Sequence, residues 1–403
     1  MPALVTIGIV AGVFMLALKL KAPIGFSFLG ISIILGLLAG MPILEITIII
    51  GKRLIAFETL RLVGIVYLIS LIGLVLAKAG VLSRTVDSLR ILISDRRIGM
   101  VIPASLIGLL PMPGGAMLSA PMVEEGSRDF DISRDRLTFL NFWFRHIWEY
   151  VWPLYPGIVL STGLLEIHAS KLIAPMWPLT IVAIIVGGLI GFKGLKLSKP
   201  DEMITGSKIA AFASFMKLTW YIWTVVVFVL FFGFDILPIV AICAMLMLLF
   251  AKYPSREKIV FLKNALLWKV LTLVAGVMIF KGVLESSGIL GSLTDNLGAV
   301  PDFALLFAIP FSIGFLTGVN SAYIGLGFPL LLSLFLPSGG GFDAGNFALA
   351  YSAGFAGVLL SPVHLCLSLT REYFDAKWGG IYRYLIPSIA VVFVFAIGIM
   401  LIF

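Results

Sequence analysis

Long apolar runs recur along the chain, separated by short stretches that hold most of its charges. A helix needs roughly 20 mostly apolar residues to cross the hydrocarbon of a bilayer. Ten stretches meet that demand: residues 3–18, 24–40, 60–77, 137–165, 172–192, 216–233, 236–251, 267–284, 347–370 and 383–403. Two further apolar stretches are too interrupted to be plain crossings. Residues 98–123 break at Pro111-Met112-Pro113-Gly114-Gly115, and residues 301–335 break around Thr317-Gly318-Val319-Asn320-Ser321. Each half has about 10–15 residues, which at 1.5 Å per residue reaches only part of the way across. Each pair therefore reads as a re-entrant hairpin that enters, turns at mid-membrane and leaves on the same side. Two crossings are interrupted as well, at Trp152-Pro153-Leu154-Tyr155-Pro156-Gly157 and near Leu360-Ser361-Pro362-Val363-His364. Proline removes a backbone donor and clashes with the preceding turn. Irregular backbone at membrane depth survives only where it is buried in protein or lines a wet cavity. Four breaks in one chain are four pointers to such a cavity.

The pattern also repeats. Gly80-Val81-Leu82, Asp87 and Leu89 recur at the same spacing as Gly288-Ile289-Leu290, Asp295 and Leu297. Arg61 maps onto Lys269, Ile102-Pro103 and Ser105 onto Ile309-Pro310 and Ser312, Pro121 onto Pro329, and Pro153 onto Pro362. This gives one repeat over residues 1–192, a second over 216–403, and a polar cytoplasmic linker over 193–215. Five crossings per copy is an odd number, so the second copy is expected upside down in the membrane, the pattern of secondary transporters.

Composition closes off other classes. Of 403 residues, 60% are hydrophobic and 12% charged, and the mean hydropathy is +1.12. A soluble domain has about 45–50% apolar and about 25% charged residues, so a water-soluble protein is excluded. The net charge of +8 is scattered through short loops and offers no nucleic-acid surface. With both termini outside, Lys19, Lys21, the Arg84–Arg97 run, Arg128, Arg134, Arg136, the linker lysines, Lys252, Lys263, Arg371 and Arg383 fall on the cytoplasmic side. That asymmetry satisfies the positive-inside rule and predicts a multi-pass protein of the cell's inner (plasma) membrane. Lys171 and the pair Lys52/Arg53, on a weakly amphipathic stretch 43–56, depart from it. The first 20 residues lack a basic start and a cleavage site and read as a retained helix. Cys243 and Cys366 lie far apart in apolar stretches and predict neither a disulfide framework nor a zinc cluster. No phosphate-binding G-x-x-x-x-G-K-[ST] motif occurs, so ATP is not expected to drive the chain directly, and no cofactor is expected.

The strongest polar constellation lies on 137–152, where Asn141, Arg145 and Glu149 are spaced i, i+4, i+8 and predicted to share a helix face, with His146 and Tyr150 beside it. Charges inside a span are costly and face a cavity or one another. Arg145 is thus a candidate for a substrate anion, with Glu149 as its partner or a proton carrier; the alternative is a neutral pair that only holds the helix in the bundle. At the hairpin tips Gly114 and Gly115 let backbone approach a ligand closely. The half-helices that follow them, and the one after Pro156-Gly157, present N–H groups suited to an anion. Asn320 and Ser321 add side-chain donors and acceptors, and Thr317, Gly318, Asn320, Ser361 and Glu149 are candidate ligands for a coupling Na⁺. His364 reads either as a protonatable gate or as a histidine satisfied by hydrogen bonds. Asp87 and Asp295, on amphipathic stretches 82–95 and 289–299, read as structural.

These features support a secondary transporter of a small organic anion, expected to be a carboxylate, coupled to Na⁺ or H⁺. A cation/proton antiporter using Glu149 or His364 is the variant without an organic substrate. His146-Ile147-Trp148-Glu149 offers an H-x-x-E spacing that, with His364, would be the core of an intramembrane metalloenzyme, but no H-E-x-x-H is present and an enzyme has no need of an inverted duplicate. The chain is therefore read as no enzyme and as having no metal ligands.

Two inverted five-helix repeats, each with a hairpin and a broken helix, resemble the ion-transporter superfamily, which includes the large membrane subunits of tripartite transporters, the divalent-anion/sodium symporters and the gluconate permeases. The segments PMPGGAML (111–118) and NFWFRHIWEYVWPLYPG (141–157) resemble more specifically an uncharacterised prokaryotic membrane family placed in that superfamily. The resemblance implies an all-α elevator in which hairpins and broken helices move against a scaffold built from 3–40, 216–251 and their neighbours. It also implies a homodimer and, if the tripartite relatives are the better guide, a separate substrate-binding protein. The sodium symporters carry Ser-Asn-Thr type tips. Here the second tip has Thr317, Asn320 and Ser321 but the first has Pro-Met-Pro-Gly-Gly, so the resemblance does not extend to a symmetric pair of sodium sites.

Overall fold

The computed structural model describes residues 3–93, 95–109, 115–195, 207–251, 253–289, 291, 300–337 and 339–403. Gly114, Asp295 and most of the 193–206 stretch lie outside the described residues. The described chain is helical, with no strand among the described residues. Several of its helices are strongly apolar, as in an α-helical membrane protein.

The first half runs α1 Ala3–Lys19, α2 Ile24–Leu38, α3 Ile43–Ile55, α4 Phe57–Lys78 and α5 Val81–Leu92. It continues with α6 Arg96–Gly108, α7 Gly115–Gly126, α8 Arg134–His146, α9 Pro156–Leu165, α10 Ala169–Ile173 and α11 Trp177–Gly191. The second half runs α12 Lys208–Leu218, α13 Trp220–Phe231, α14 Ile236–Phe250, α15 Ser255–Asn264 and α16 Trp268–Ser286. Then follow α17 Asp302–Thr317, α18 Asn320–Phe335, α19 Ala344–Leu360, α20 Leu365–Phe374 and α21 Trp378–Ile402. Short polar residues start many of them. Asp95, Ser133, Ser207, Asp235 and Asp343 each accept a bond from a first-turn N–H, meeting one of the four donors that a helix start leaves orphaned.

Two segments differ from the sequence reading. The stretch 193–215 is not all loop, because α12 starts at Lys208 behind its Ser207 cap and packs on α5. The lysines and Pro200 upstream mask a largely apolar run, 209–216, that is long enough for two turns. Thr219 Oγ1 bonds back to the Phe215 carbonyl (2.6 Å), and there α12 meets α13 at 63°. Such back-bonding competes with the helix ladder and bends it. Likewise 255–264 is a helix rather than a charged loop, bent 40° from α16. It occupies the place in the second half that α3 holds in the first.

The packing is reciprocal between halves. Helix α2 lies on α16 and α4 on α14, while α6 lies on α8 and α17 on α19. Arg53 reaches Glu285 (2.5 Å), buried Lys281 reaches Glu166 (2.9 Å), and Arg61 pairs with Asp235, so each of these ion pairs joins one half to the other. The first of them gives Arg53, an exception to the loop-charge pattern, a partner. The outer surface is apolar, with Ile209, Phe231, Phe250 and Ile402 each about 80% exposed, the surface expected of a chain solvated by lipid. By length and composition three helical segments among the described residues can cross a bilayer (Phe57–Lys78, Ala344–Phe374 through its break, and Trp378–Ile402), or five if the bent pairs count. Helices α2, α11 and α14 have 15 residues, about 22 Å at 1.5 Å per residue.

The α2–α16 contact is backbone to backbone: a Cβ on Gly276 would sit 2.5 Å from the Gly25 carbonyl oxygen and 2.9 Å from Phe28 Cβ. Gly276→Ala is therefore expected to lower stability by about 1–3 kcal/mol, the usual cost of overpacking, despite alanine's better helix propensity. Gly73, with nothing within 4 Å, is the reference, and Gly73→Ala is expected to be neutral or mildly stabilising. Thermal unfolding in detergent reads both; equal effects would show that the α2–α16 approach is not tight.

Candidate functional site

The site starts from the backbone. Helix α8 stops at His146, Ile147–Tyr150 tighten into a 3₁₀ turn, and the chain is irregular until Pro156 opens α9. Each break frees carbonyls that the helix would have bonded, and neighbouring side chains take them. Thr180 Oγ1 donates to Ile147 O (3.0 Å) and Tyr351 Oη to Glu149 O (2.9 Å). Tyr155 Oη donates to Gly108 O at the end of α6 (2.7 Å), and Asn141 Nδ2 to Ala116 O at the start of α7 (3.1 Å). In the second half, Ser361 Oγ donates to Phe315 O (2.6 Å), His364 Nδ1 to Gly318 O (2.7 Å) and Tyr382 Oη to Leu360 O (2.9 Å). Gly318 is left-handed (φ 65°) as the α17 cap, and a Cβ there would lie 2.7 Å from the His364 nitrogen. The α17 end and the α19–α20 break therefore approach backbone to backbone, and the Ser361 and His364 side chains tie them together.

Between these breaks lies a cavity of about 350 Å³. Its polar lining comes from both halves: Arg145, His146, Glu149 and Tyr155 from the first, Asn320, Ser321, His364 and Cys366 from the second. Val66, Ile69 and Ser70 of α4 and Leu267, Val270 and Leu273 at the start of α16 supply much of the remaining wall. Arg145, His146 and Glu149 are all buried. Glu149 Oε2 accepts a hydrogen bond from Asn320 Nδ2, and Glu149 Oε1 lies 3.8 Å from His146 Nε2. Arg145 Nη1 lies 3.4 Å from Cys366 Sγ. The His146 and His364 Nε2 atoms are 3.2 Å apart, and with Cys366 Sγ they form a trio within 4.8 Å of one another.

Several predicted site residues line this cavity: Arg145, Glu149, Pro156, Gly318, Asn320, Ser321 and His364. Others hold its frame. Asn141 clamps α7 and Thr370, and a Cβ on Gly115 would touch Arg145 Nη2 at 2.7 Å. Gly157 packs under the Tyr351 hydroxyl, Thr317 Oγ1 bonds back to Ile313 O (2.7 Å), and Ser361 is engaged with Phe315 O. The i, i+4, i+8 face does not persist, because α8 ends before Glu149. Arg145 turns toward Cys366 and Gly115 while Glu149 turns toward Asn320. The prolines at 153 and 156 were the signal that the helix would not run through. Sequence reasoning missed Tyr155 and Cys366; a polarisable side chain two residues after His364, at the start of a half-helix, was the available clue to the second.

Tyr155→Phe and Tyr351→Phe each strand a buried carbonyl, which costs about 1–3 kcal/mol. The Tyr323 hydroxyl donates to no backbone carbonyl, so Tyr323→Phe is expected to cost less than either. Thermal unfolding of the three variants checks this, and a uniform loss would show that the hydroxyls do not carry the breaks.

No curated protein matches this sequence. The cavity takes its lining from both halves of the chain, and the match to a family model spans both halves as well. That model, described as protein of unknown function (DUF401), matches residues 2–402, and the chain belongs to that family.

Proposed function

We propose that this protein is a secondary active transporter of a small organic anion, a carboxylate, coupled to Na⁺ or H⁺. The observation that carries the reading is that Arg145 lines a cavity of about 350 Å³ together with Asn320 from the other half of the chain. A guanidinium fork matches a carboxylate in two parallel bonds, and a cavity of that size holds a small metabolite. Asn320 Oδ1 is buried without a hydrogen-bond partner and offers an oxygen to a cation or to a substrate hydroxyl. In this reading the ten apolar stretches are crossings of two inverted repeats, as in the ion-transporter superfamily. The hairpins α6–α7 and α17–α18 move with the broken helices against a dimeric scaffold of α1, α2, α13 and α14. In a proton-coupled variant the carrier is Glu149, buried on the cavity with one carboxylate oxygen held by Asn320.

The test is uptake of labelled carboxylates into proteoliposomes under imposed Na⁺ or H⁺ gradients. Arg145→Lys is expected to lower uptake at least about tenfold while the protein still folds, since lysine offers only a point charge. Glu149→Gln should keep substrate binding and lose any dependence on the proton gradient. If the double variant Arg145→Met/Glu149→Gln transports like the parent, Arg145 is not the anion's partner and the reading fails.

A further inference from the structure

His146, His364 and Cys366 converge on one point, and the bonding of the two imidazoles decides what that point can hold. His146 Nδ1 is 2.6 Å from the Phe142 carbonyl oxygen and His364 Nδ1 is 2.7 Å from that of Gly318. A carbonyl can only accept, so in both rings the Nδ1 carries hydrogen, and in the neutral ring Nε2 is a bare lone pair. The two Nε2 atoms then face each other at 3.2 Å. Two lone pairs at that distance repel unless a cation sits between them.

We propose that His146 Nε2, His364 Nε2 and Cys366 Sγ form a binding site for a borderline transition-metal dication such as Zn²⁺, open to the cavity at its fourth position. Ligands around tetrahedral zinc, with Zn–N of about 2.0–2.1 Å and Zn–S of about 2.3 Å, stand about 3.3–3.6 Å apart. The imidazole pair, at 3.2 Å, lies within about 0.1 Å of that range, and a ring nitrogen of each histidine lies within 4.8 Å of the sulfur. The backbone carbonyls behind the rings fix tautomer and orientation, the outer-shell arrangement that metal-binding histidines use. Two nitrogens and a thiolate suit zinc and cobalt over magnesium or calcium. Arg145 Nη1, 3.4 Å from Cys366 Sγ, sets a positive charge beside the thiolate that a bound metal requires. Glu149, which the H-x-x-E spacing offers as a ligand, has one carboxylate oxygen taken by Asn320 and stands next to the site at 3.8 Å from His146 Nε2. The ligands come from the end of α8 and from the break before α20, so the metal would fasten the broken helix of one half to that of the other. The site does not depend on the transport reading: it binds the metal whether or not a carboxylate is carried.

The full-length protein, purified in detergent and stripped of metal, is titrated with Co²⁺. The expected result is one Co²⁺ per chain, with visible bands of tetrahedral cobalt and a near-ultraviolet sulfur-to-cobalt band, both displaced by Zn²⁺. Cys366→Ser should remove the sulfur band, His364→Gln should weaken binding at least tenfold, and Cys243→Ser should change nothing. A second readout needs no ligand variant. In the Cys243→Ser protein, Zn²⁺ should slow alkylation of Cys366 at least tenfold. Absence of stoichiometric cobalt binding, or binding that survives Cys366→Ser and His364→Gln unchanged, overturns the proposal. So does alkylation of Cys366 at the same rate with and without Zn²⁺.

Discussion

Everything at the centre of this protein depends on one constraint: a helix that stops inside a packed apolar interior strands its last carbonyls away from bulk water. The chain stops helices in this way at several places and answers with side chains from other elements. Tyr155, Tyr351, Tyr382, Thr180, Ser361 and His364 each donate to such a carbonyl. Tyr351 reaches from α19 to the 3₁₀ turn after α8, and Tyr155 reaches from the same break to the end of α6. The breaks are thereby locked to one another, and the polar cavity is what remains between them. Arg145 and Glu149 can be buried there because the surrounding groups are already polar and oriented.

The site also belongs to neither half alone. Glu149 is held by Asn320, Arg145 lies against Cys366, and His146 faces His364. The same reciprocity appears in the frame, where α2 packs on α16 and α4 on α14, and in the ion pairs Arg53–Glu285 and Arg61–Asp235. A displacement of one broken helix relative to the other would therefore change the distance between charged and ligating groups directly.

Much of this frame is legible in the sequence because membrane helices announce themselves by apolar length, and breaks by proline and glycine. The interruptions at 152–157, 317–321 and 360–364 all mark real helix ends. What the sequence conceals are contacts across the halves. Helical spacing puts Asn141, Arg145 and Glu149 on one face, yet the turn change after His146 sends the last two apart. Cys366 looks like one more apolar residue until the fold sets it beside two histidines, one of them 220 positions away. The helices α12 and α15 escape notice because lysines and prolines at their starts read as loop.

The proposed transport requires the cavity between the helix breaks to open in turn to each side of the membrane. Its most direct measurement is reaction of a charged, membrane-impermeant thiol reagent with Val319→Cys, on the cavity wall, in a protein whose native cysteines are replaced by serine and which is reconstituted in one orientation. The expected result is labelling from either face, with the favoured face changed by the Na⁺ or H⁺ gradient. Labelling from neither face, or from one face alone under every gradient, would contradict it.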